Sequence, residues 1–329
     1  MVEIQLSRRS ALIGGLLFAA GSQVSQAEEP ATPPKAEAKP EPLSISEQLQ
    51  HATVQIRGVT AQGEQSSGTG FIFGFFQNNG ESVLALVTNK HVVIEQENVF
   101  LRWTLQTPQG KPDYGNFIDV KFENFSQAWL PHPDPEIDLA IIPVVEMLRS
   151  LAGQGKKVFF VSLDQSIIPT ENQLKELQPL EDVIIVGYPD GISDSKNNIP
   201  IFRRGITATP AYMQFEGRKQ FLIDAAIYPG SSGSPVLLYN SGSWGNRSGG
   251  LQIGTRVNLL GVVFAVANHA ATGEIKIIPA PTQYRQIVVS NVPNNLGVCL
   301  QSHLILDFEP EIVKRGYKPP DGYVMRSKL

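Results

Sequence analysis

Between residues 52 and 266 the chain is a series of short apolar runs separated by polar or Gly/Pro-bearing breaks. The runs 52–60, 68–75, 82–88, 99–104, 139–144, 183–186, 201–207, 221–223, 235–239 and 258–266 are rich in Val, Ile, Leu, Phe or Thr. Runs of this length and spacing predict strands, and many short strands in series predict an all-β sandwich or barrel. Helical patterning is confined to two short pieces, 146–151 and 282–290. The second follows Pro281, a residue favoured where helices start. The stretch 241–250 (SGSWGNRSGG) reads as a long Gly/Ser loop. At the end of the chain, 296–301 reads as one more strand and the rest as a short polar tail. No internal repeat is present.

The N-terminus has a different pattern. Arg8 and Arg9 precede an apolar run at 11–21, and Ser25-Gln26-Ala27 supplies small residues before a polar stretch. A positive end, a short apolar middle and small residues make a signal peptide, with cleavage expected after Ala27. The arginine pair resembles the twin-arginine export signal of bacteria, which implies a periplasmic or secreted protein. A spanning helix needs about 20 apolar residues, so no stable membrane insertion is expected after cleavage. Residues 28–43 (EEPATPPKAEAKPEPL) lack apolar periodicity and read as an extended linker. The folded unit should begin near Ser44.

Composition narrows the partners. Hydrophobic residues make up 42% of the 329 and charged residues 18%, enough to bury a core and too apolar for a disordered chain. The formal net charge is -4, so no basic surplus exists to neutralise phosphates, and no nucleic acid is expected as a partner. The lone cysteine, Cys299, excludes an intrachain disulfide and Cys-based zinc sites. The five histidines are scattered, so neither a metal nor a cofactor is expected. His132, between Pro131 and Pro133, reads as a surface-loop residue, and His269 and His303 are isolated. Nothing in the sequence fixes the oligomeric state.

Three local patterns carry candidate chemistry. The first is Gly68-Thr-Gly-Phe-Ile-Phe73 followed by a strand ending in Thr88-Asn89-Lys90-His91-Val92. The second is Asp138-Leu-Ala, which opens the run 139–144. The third is Asp224-Ala-Ala-Ile-Tyr-Pro-Gly230-Ser-Ser-Gly-Ser-Pro235, lying between two strands. His91 alone would read as a structural histidine at a strand end, and Asp138 alone as a cap. The Gly/Ser turn is more specific, because glycines permit the positive φ of a tight turn that presents N–H groups. Taken together they match one chemistry. A serine hydroxyl needs an adjacent base, the base needs an orienting carboxylate, and the developing oxyanion needs fixed N–H donors.

The order His, Asp, Ser with these flanks resembles the trypsin-like, chymotrypsin-fold serine peptidases, and within them the HtrA/Deg-type branch, over roughly 56–281. The resemblance implies an all-β fold of two β-barrels with the active site in the cleft between them. It assigns 44–310 to the peptidase domain: a first barrel at about 44–145, a crossover at about 146–180 and a second barrel at about 181–302. A polar tail at 311–329 would follow. The Gly-x-Ser-Gly-x-Pro register implies Ser232 as nucleophile and Ser231 as a variable position. His91 would be the base and Asp138, rather than Asp134 in the Pro-rich turn, its orienter. Backbone N–H groups of Gly230 and Ser232 would form the oxyanion hole. The residue six before the nucleophile, Ala226, would lie at the base of the substrate pocket, with Ala265, Val266 and Ala267 in its wall. The pocket would then accept a small or medium apolar residue of a polypeptide substrate.

This sequence departs from the family at Ser234, where many members carry glycine. The 39 residues from Asn291 to the end of the sequence are too few for a PDZ domain, so none is expected. The competing expectation is a catalytically inactive peptidase fold serving as a binding or scaffold protein. Intact flanks around all three residues favour the enzyme. An α/β-hydrolase esterase is excluded because its elbow needs Gly-x-Ser-x-Gly, and position 234 is Ser.

Overall fold

The computed structural model describes residues 42–245, 247–271 and 290–323, with side chains described except at 266–271 and 290–294. The expected signal peptide, its cleavage site and the linker up to residue 41 lie outside the described residues. So do positions 282–289 of the second expected helix and the last six residues of the tail.

Among the described residues the first element is a helix. Ser44 caps α1 (Ile45–Gln50) through a reciprocal pair: Ser44 N–H donates to Glu47 Oε2 at 2.7 Å and Glu47 N–H donates to Ser44 Oγ at 3.4 Å. Such a box satisfies two N–H groups that a helix start leaves free.

The first barrel follows: β1 (Thr53–Thr60), β2 (Gln65–Asn78), β3 (Glu81–Thr88), the one-turn α2 (Lys90–Val93), β4 (Gln96–Gln106), β5 (Pro112–Phe122), β6 (Leu130–Pro131) and β7 (Ala140–Pro143). The connection carries α3 (Val145–Gly153), the two-residue β8 (Leu163–Asp164) and α4 (Glu171–Lys175). The strands pair in the order β5-β4-β1-β2-β3-β7-β6, with β8 parallel to β2. The second barrel uses β9 (Asp182–Gly187), β10 (Ile201–Thr207), β11 (Gln220–Asp224), β12 (Pro235–Gly245), β13 (Leu251–Ala271) and β14 (Ser290–Gln301). It closes in the order β10-β11-β14-β13-β12-β9. A 3-10 segment, Ser302–Phe308, then leads into α5 (Glu309–Lys314). The architecture is the all-β, two-barrel one that the resemblance implied. Among the described residues no helix is long and apolar enough to cross a membrane.

Alternation along the strands sorts the core into separate clusters. Ile72, Leu84, Leu86 and Ile142 face the first barrel's interior with Val54, Ile56 and Trp103. Their neighbours Phe71, Phe73, Val87 and Ile141 face the opposite way, into a cluster shared with Val186, Leu237 and Leu259 of the second barrel. Strands β2, β3 and β7 are therefore buried on both faces, which is why they read as continuous apolar runs. The chain links that emerge from this packed seam carry the site: α2 after β3, the turn before β7, and the loop between β11 and β12.

Three expectations are corrected. The stretch 241–250 is not all loop: β12 runs on to Gly245 and pairs with β13 from Leu251, so among the described residues only 247–250 lie outside the strands. The segment after Gln301 is not a polar tail. Leu304, Ile305, Phe308 and Ile312 are buried in the cluster between the barrels, because their spacing puts them on one helical face. His132 is not a surface-loop residue. Its side chain is 1% exposed, its ring meets Phe308 edge-on, and Nε2 lies 3.2 Å from the Leu304 carbonyl oxygen. It docks the C-terminal segment onto the first barrel. Strand β5 had not been expected at all. It lies at the edge of its sheet with most side chains exposed or half-exposed, so no apolar pattern marks it.

Candidate active site

His91 stands on α2, a single turn too short to hold itself together by backbone bonds. Burial anchors it: Val92 and Val93 are buried in the first barrel's core, leaving His91 facing outward with 48% of its side chain exposed. Asp138 meets it in two places. Its Oδ1 accepts the His91 backbone N–H at 3.0 Å and its Oδ2 lies 2.5 Å from His91 Nδ1. A carboxylate only accepts, so the ring proton is assigned to Nδ1 and the Nε2 lone pair is left unclaimed. The turn carrying Asp138 is tied down separately. Asn89 is fully buried and its Nδ2 donates to the Asp138 carbonyl at 2.7 Å, while Lys90 Nζ donates to the Pro135 carbonyl at 2.7 Å. Asp134, the rejected orienter, is a turn residue whose Oδ1 accepts the Glu136 N–H at 3.0 Å.

The loop from Tyr228 to Ser234 is tight and mostly self-satisfied. Ser231 N–H donates to Tyr228 O, Gly233 N–H to Val263 O and Ser234 N–H to Ser231 O, at 3.0, 2.8 and 3.0 Å. Among the described residues the N–H groups of Gly230 and Ser232 have no such acceptor. They are the two donors expected to form an oxyanion hole. Gly230 and Gly233 both sit at φ +85°, in the left-handed region. A Cβ at Gly233 would also collide with the Thr69 carbonyl, so glycine is required there. Ser231 is buried, with its Oγ accepting the Tyr228 N–H at 3.4 Å. Ser232 is half-buried, and Ser234 is fully buried with its Oγ unpartnered.

The two halves of the site meet through Thr69, whose N–H donates to the Ser232 carbonyl at 2.9 Å. Thr88, at the end of the strand leading to His91, donates its hydroxyl to the Thr69 carbonyl at 2.7 Å. No hydrogen bond joins Ser232 Oγ to the His91 ring. Sequence reasoning carried Thr69, Thr88 and Asn89 only as flanks of motifs. An Asn before a short helix signals a cap, yet its side chain makes no cap bond and reaches across to Asp138 instead.

The expected pocket residues are only partly described. Ala226 and Ala265 are both half-buried. Ala265 pairs with Val298 of β14, and Ala225, the residue before Ala226, donates its N–H to Asn295 O at 2.9 Å. The neighbouring Ile227 is buried in the second barrel's core with Ile223. Asp224, the one carboxylate in 220–230, is exposed. The side chains of Val266 and Ala267 lie outside the described residues. Among the described residues no group of three or more His, Cys, Asp or Glu side chains is gathered to hold a metal. Cys299 is fully buried, and burial pushes its thiol pKa up, away from reactivity.

No curated protein matches the chain. Among solved structures it is similar to the HtrA-type protease AlgW bound to a tripeptide: 17% identity, TM-score 0.41, covering 82% of this chain and 62% of that one. It is also similar to the Rv3671c protease of M. tuberculosis in its active form, with 19% identity, TM-score 0.39 and coverage of 84% and 85%. A third is the serine endoprotease from Yersinia pestis, with 16% identity, TM-score 0.40 and coverage of 84% and 69%. The chain thus spans less than two thirds of the length of the AlgW structure. The model of the trypsin-like peptidase domain matches residues 68–244, more than half of the chain and the stretch holding His91, Asp138 and Ser232. By that match and by its two-barrel architecture, the chain belongs to the trypsin-like peptidase family.

Proposed function

We propose that the protein is an exported serine endopeptidase in which Ser232 is the nucleophile, His91 its general base and Asp138 the carboxylate that orients the base. The observation that carries this reading is the Asp138–His91 pair, which uses Nδ1 and leaves Nε2 of a half-exposed ring without a partner among the described residues. In the reaction His91 Nε2 takes the Ser232 proton as Oγ attacks a peptide carbonyl. Asp138 stabilises the imidazolium, and the unpaired N–H groups of Gly230 and Ser232 receive the oxyanion. The imidazolium then gives its proton to the leaving amine, and water hydrolyses the acyl-enzyme by the same route.

The substrate is a polypeptide cut after a small or medium apolar residue. Half-buried alanines at 226 and 265, and the absence of a buried carboxylate in 220–230, support that preference. Export rests on Arg8, Arg9 and the apolar run that follows them. The mature protein should begin at Glu28, which N-terminal sequencing checks.

A fluorophosphonate probe tests the catalytic reading. The purified protein should be labelled, Ser232→Ala should take no label, and its kcat should fall by about 10⁶. Wild-type protein that refuses the probe would favour a peptidase fold used for binding alone.

A further inference from the structure

Four consecutive carbonyls in the nucleophile loop each receive one donor. Pro229 O accepts the Asp190 N–H at 2.6 Å, Gly230 O accepts Thr69 Oγ1 at 2.8 Å, Ser231 O accepts the Ser234 N–H at 3.0 Å and Ser232 O accepts the Thr69 N–H at 2.9 Å. Two of the four donors belong to Thr69, a residue of β2 in the other barrel. We propose that Thr69 is a positioning residue for the oxyanion donors, its hydroxyl and its N–H holding the Gly230 and Ser232 carbonyls so that the Gly230 and Ser232 N–H groups stay fixed and unpaired. The proposal rests on the serine-peptidase reading above and names a residue which that reading does not use.

The physical need comes from Gly230. Lacking a Cβ, a glycine at positive φ lets its flanking peptides rotate at little cost, and rotation would carry an oxyanion donor away. Anchoring the carbonyls on both sides removes that freedom. Pro229 O is held from the Asp190 turn and Gly230 O from Thr69. The hydroxyl of Thr69 has one proton to give. Its oxygen accepts the Tyr188 N–H at 3.0 Å, so the proton is directed to Gly230 O. Thr69 is fully buried, and turning the loop would leave its hydroxyl unsatisfied away from water. Branching at Cβ also restricts its rotamer. The same residue reaches the base: its carbonyl accepts the Thr88 hydroxyl, three residues before His91. One residue in one barrel, through its hydroxyl and its main chain, thus ties down the loop in the other.

The test compares Thr69→Val, which keeps the shape and removes the hydroxyl, with Thr69→Ser, which keeps the hydroxyl. Rates are expressed per fluorophosphonate-titrated site, so misfolded protein does not count. Losing the hydroxyl loosens the Gly230 donor while the Thr69 N–H still holds the Ser232 carbonyl, which should lower the kcat of Thr69→Val by on the order of 30-fold, with KM within about threefold of wild type. Thr69→Ser should stay within about fivefold of wild type in kcat. An unchanged kcat in Thr69→Val overturns the proposal, and so does a serine variant as impaired as the valine one, which would make the methyl group the working part. If Thr69→Val does not fold, Thr69→Ala against Thr69→Ser leaves the same space empty and differs only in the hydroxyl. Equal kcat in that pair overturns the proposal, and a deficit confined to alanine supports it. Wild-type protein that takes no label, or a Ser232→Ala variant that does, sinks the peptidase reading and this role with it. A labelled wild type beside a fully active Thr69→Val sinks the role of Thr69 alone.

Discussion

Two histidine–aspartate pairs bracket the loop from 132 to 138, and they are put to opposite uses. At its end, Asp138 takes Nδ1 of His91, whose side chain is nearly half exposed, and Nε2 is left over. At its start, His132 is buried and has no nitrogen to spare. Nδ1 accepts the Asp134 N–H at 3.0 Å, and Nε2 faces the Leu304 carbonyl at 3.2 Å and Asp307 Oδ2 at 3.5 Å. The partners put the proton on Nδ1 in one ring and on Nε2 in the other. A neighbouring carboxylate therefore does not by itself make a histidine a base. What matters is which nitrogen it occupies and whether the other remains accessible. The first pair serves catalysis in the proposed mechanism. The second fastens the C-terminal segment to the first barrel, where the Asp307 carboxyl is held below the usual carboxylate range by its hydrogen bond to His132.

The largest effect expected from breaking this contrast is at Asp138. Asp138→Asn should lower kcat by about 10⁴, because an amide can hold the wrong imidazole tautomer while unfolding curves stay close to wild type. Full activity in that variant would remove Asp138 from the mechanism. At the other pair the pattern should invert. His132→Ala deletes the acceptor for Asp134 N–H and the donor to Leu304 O, which should cost roughly 3 kcal/mol in urea unfolding. The kcat of its folded fraction should stay within about threefold of wild type. A catalytic loss like that of Asp138→Asn would mean that the two pairs are not separable.

A third histidine sharpens the comparison. Among the described residues His51 has no hydrogen bond to a carboxylate, and the effect of burial on its ring outweighs the opposing one of the nearby Glu47 charge. Its Nε2 lies 3.2 Å from Tyr114 Oη, its ring meets Phe159 edge-on, and burial pushes its pKa down to about 4. The native state therefore holds His51 neutral while the unfolded chain takes up a proton below about pH 6.5. Stability should be unaffected by this group above that pH, fall as pH drops from about 6.5 to about 4, and level off below. The loss is on the order of 3 kcal/mol at most. His51→Gln should flatten that part of the unfolding profile measured against pH; an unchanged slope would assign the loss to other groups. The smallest effect belongs to Ser231. Its hydroxyl makes one long bond inside the loop, so Ser231→Ala should keep most of the activity and all of the probe labelling. Loss of label in Ser231→Ala with label retained in Ser232→Ala would shift the nucleophile by one residue.

Much of this was legible in the sequence. The runs that became β2, β3, β7 and β9 stood out because their strands have apolar neighbours on both faces. The flanks of His91, Asp138 and Ser232 were equally plain, since each is a local pattern of residue types. Less legible were β5, whose exposed edge position imposes no apolar pattern, and the hairpin extension of β12 and β13, whose Gly/Ser composition hides a regular ladder. The C-terminal helix was legible in principle: Leu304, Ile305, Phe308 and Ile312 have helical spacing, which a polar surrounding sequence obscured. His132 was misread because two flanking prolines suggest an exposed turn, and only the returning C-terminal segment buries it.

By itself the sequence determined most of the buried strands, which residues carry hydroxyl, imidazole and carboxylate side chains, and their order along the chain. These depend on residue type and short-range spacing, which are local properties. Only the tertiary structure decided which nitrogen of each histidine is free, which N–H groups of the nucleophile loop lack an acceptor, and that Thr69 joins the two barrels. Those outcomes depend on which atoms lie within about 3 Å of one another, as hydrogen bonding requires. Such distances, between residues dozens of positions apart or more, are set by the packing of two barrels and not by any local pattern.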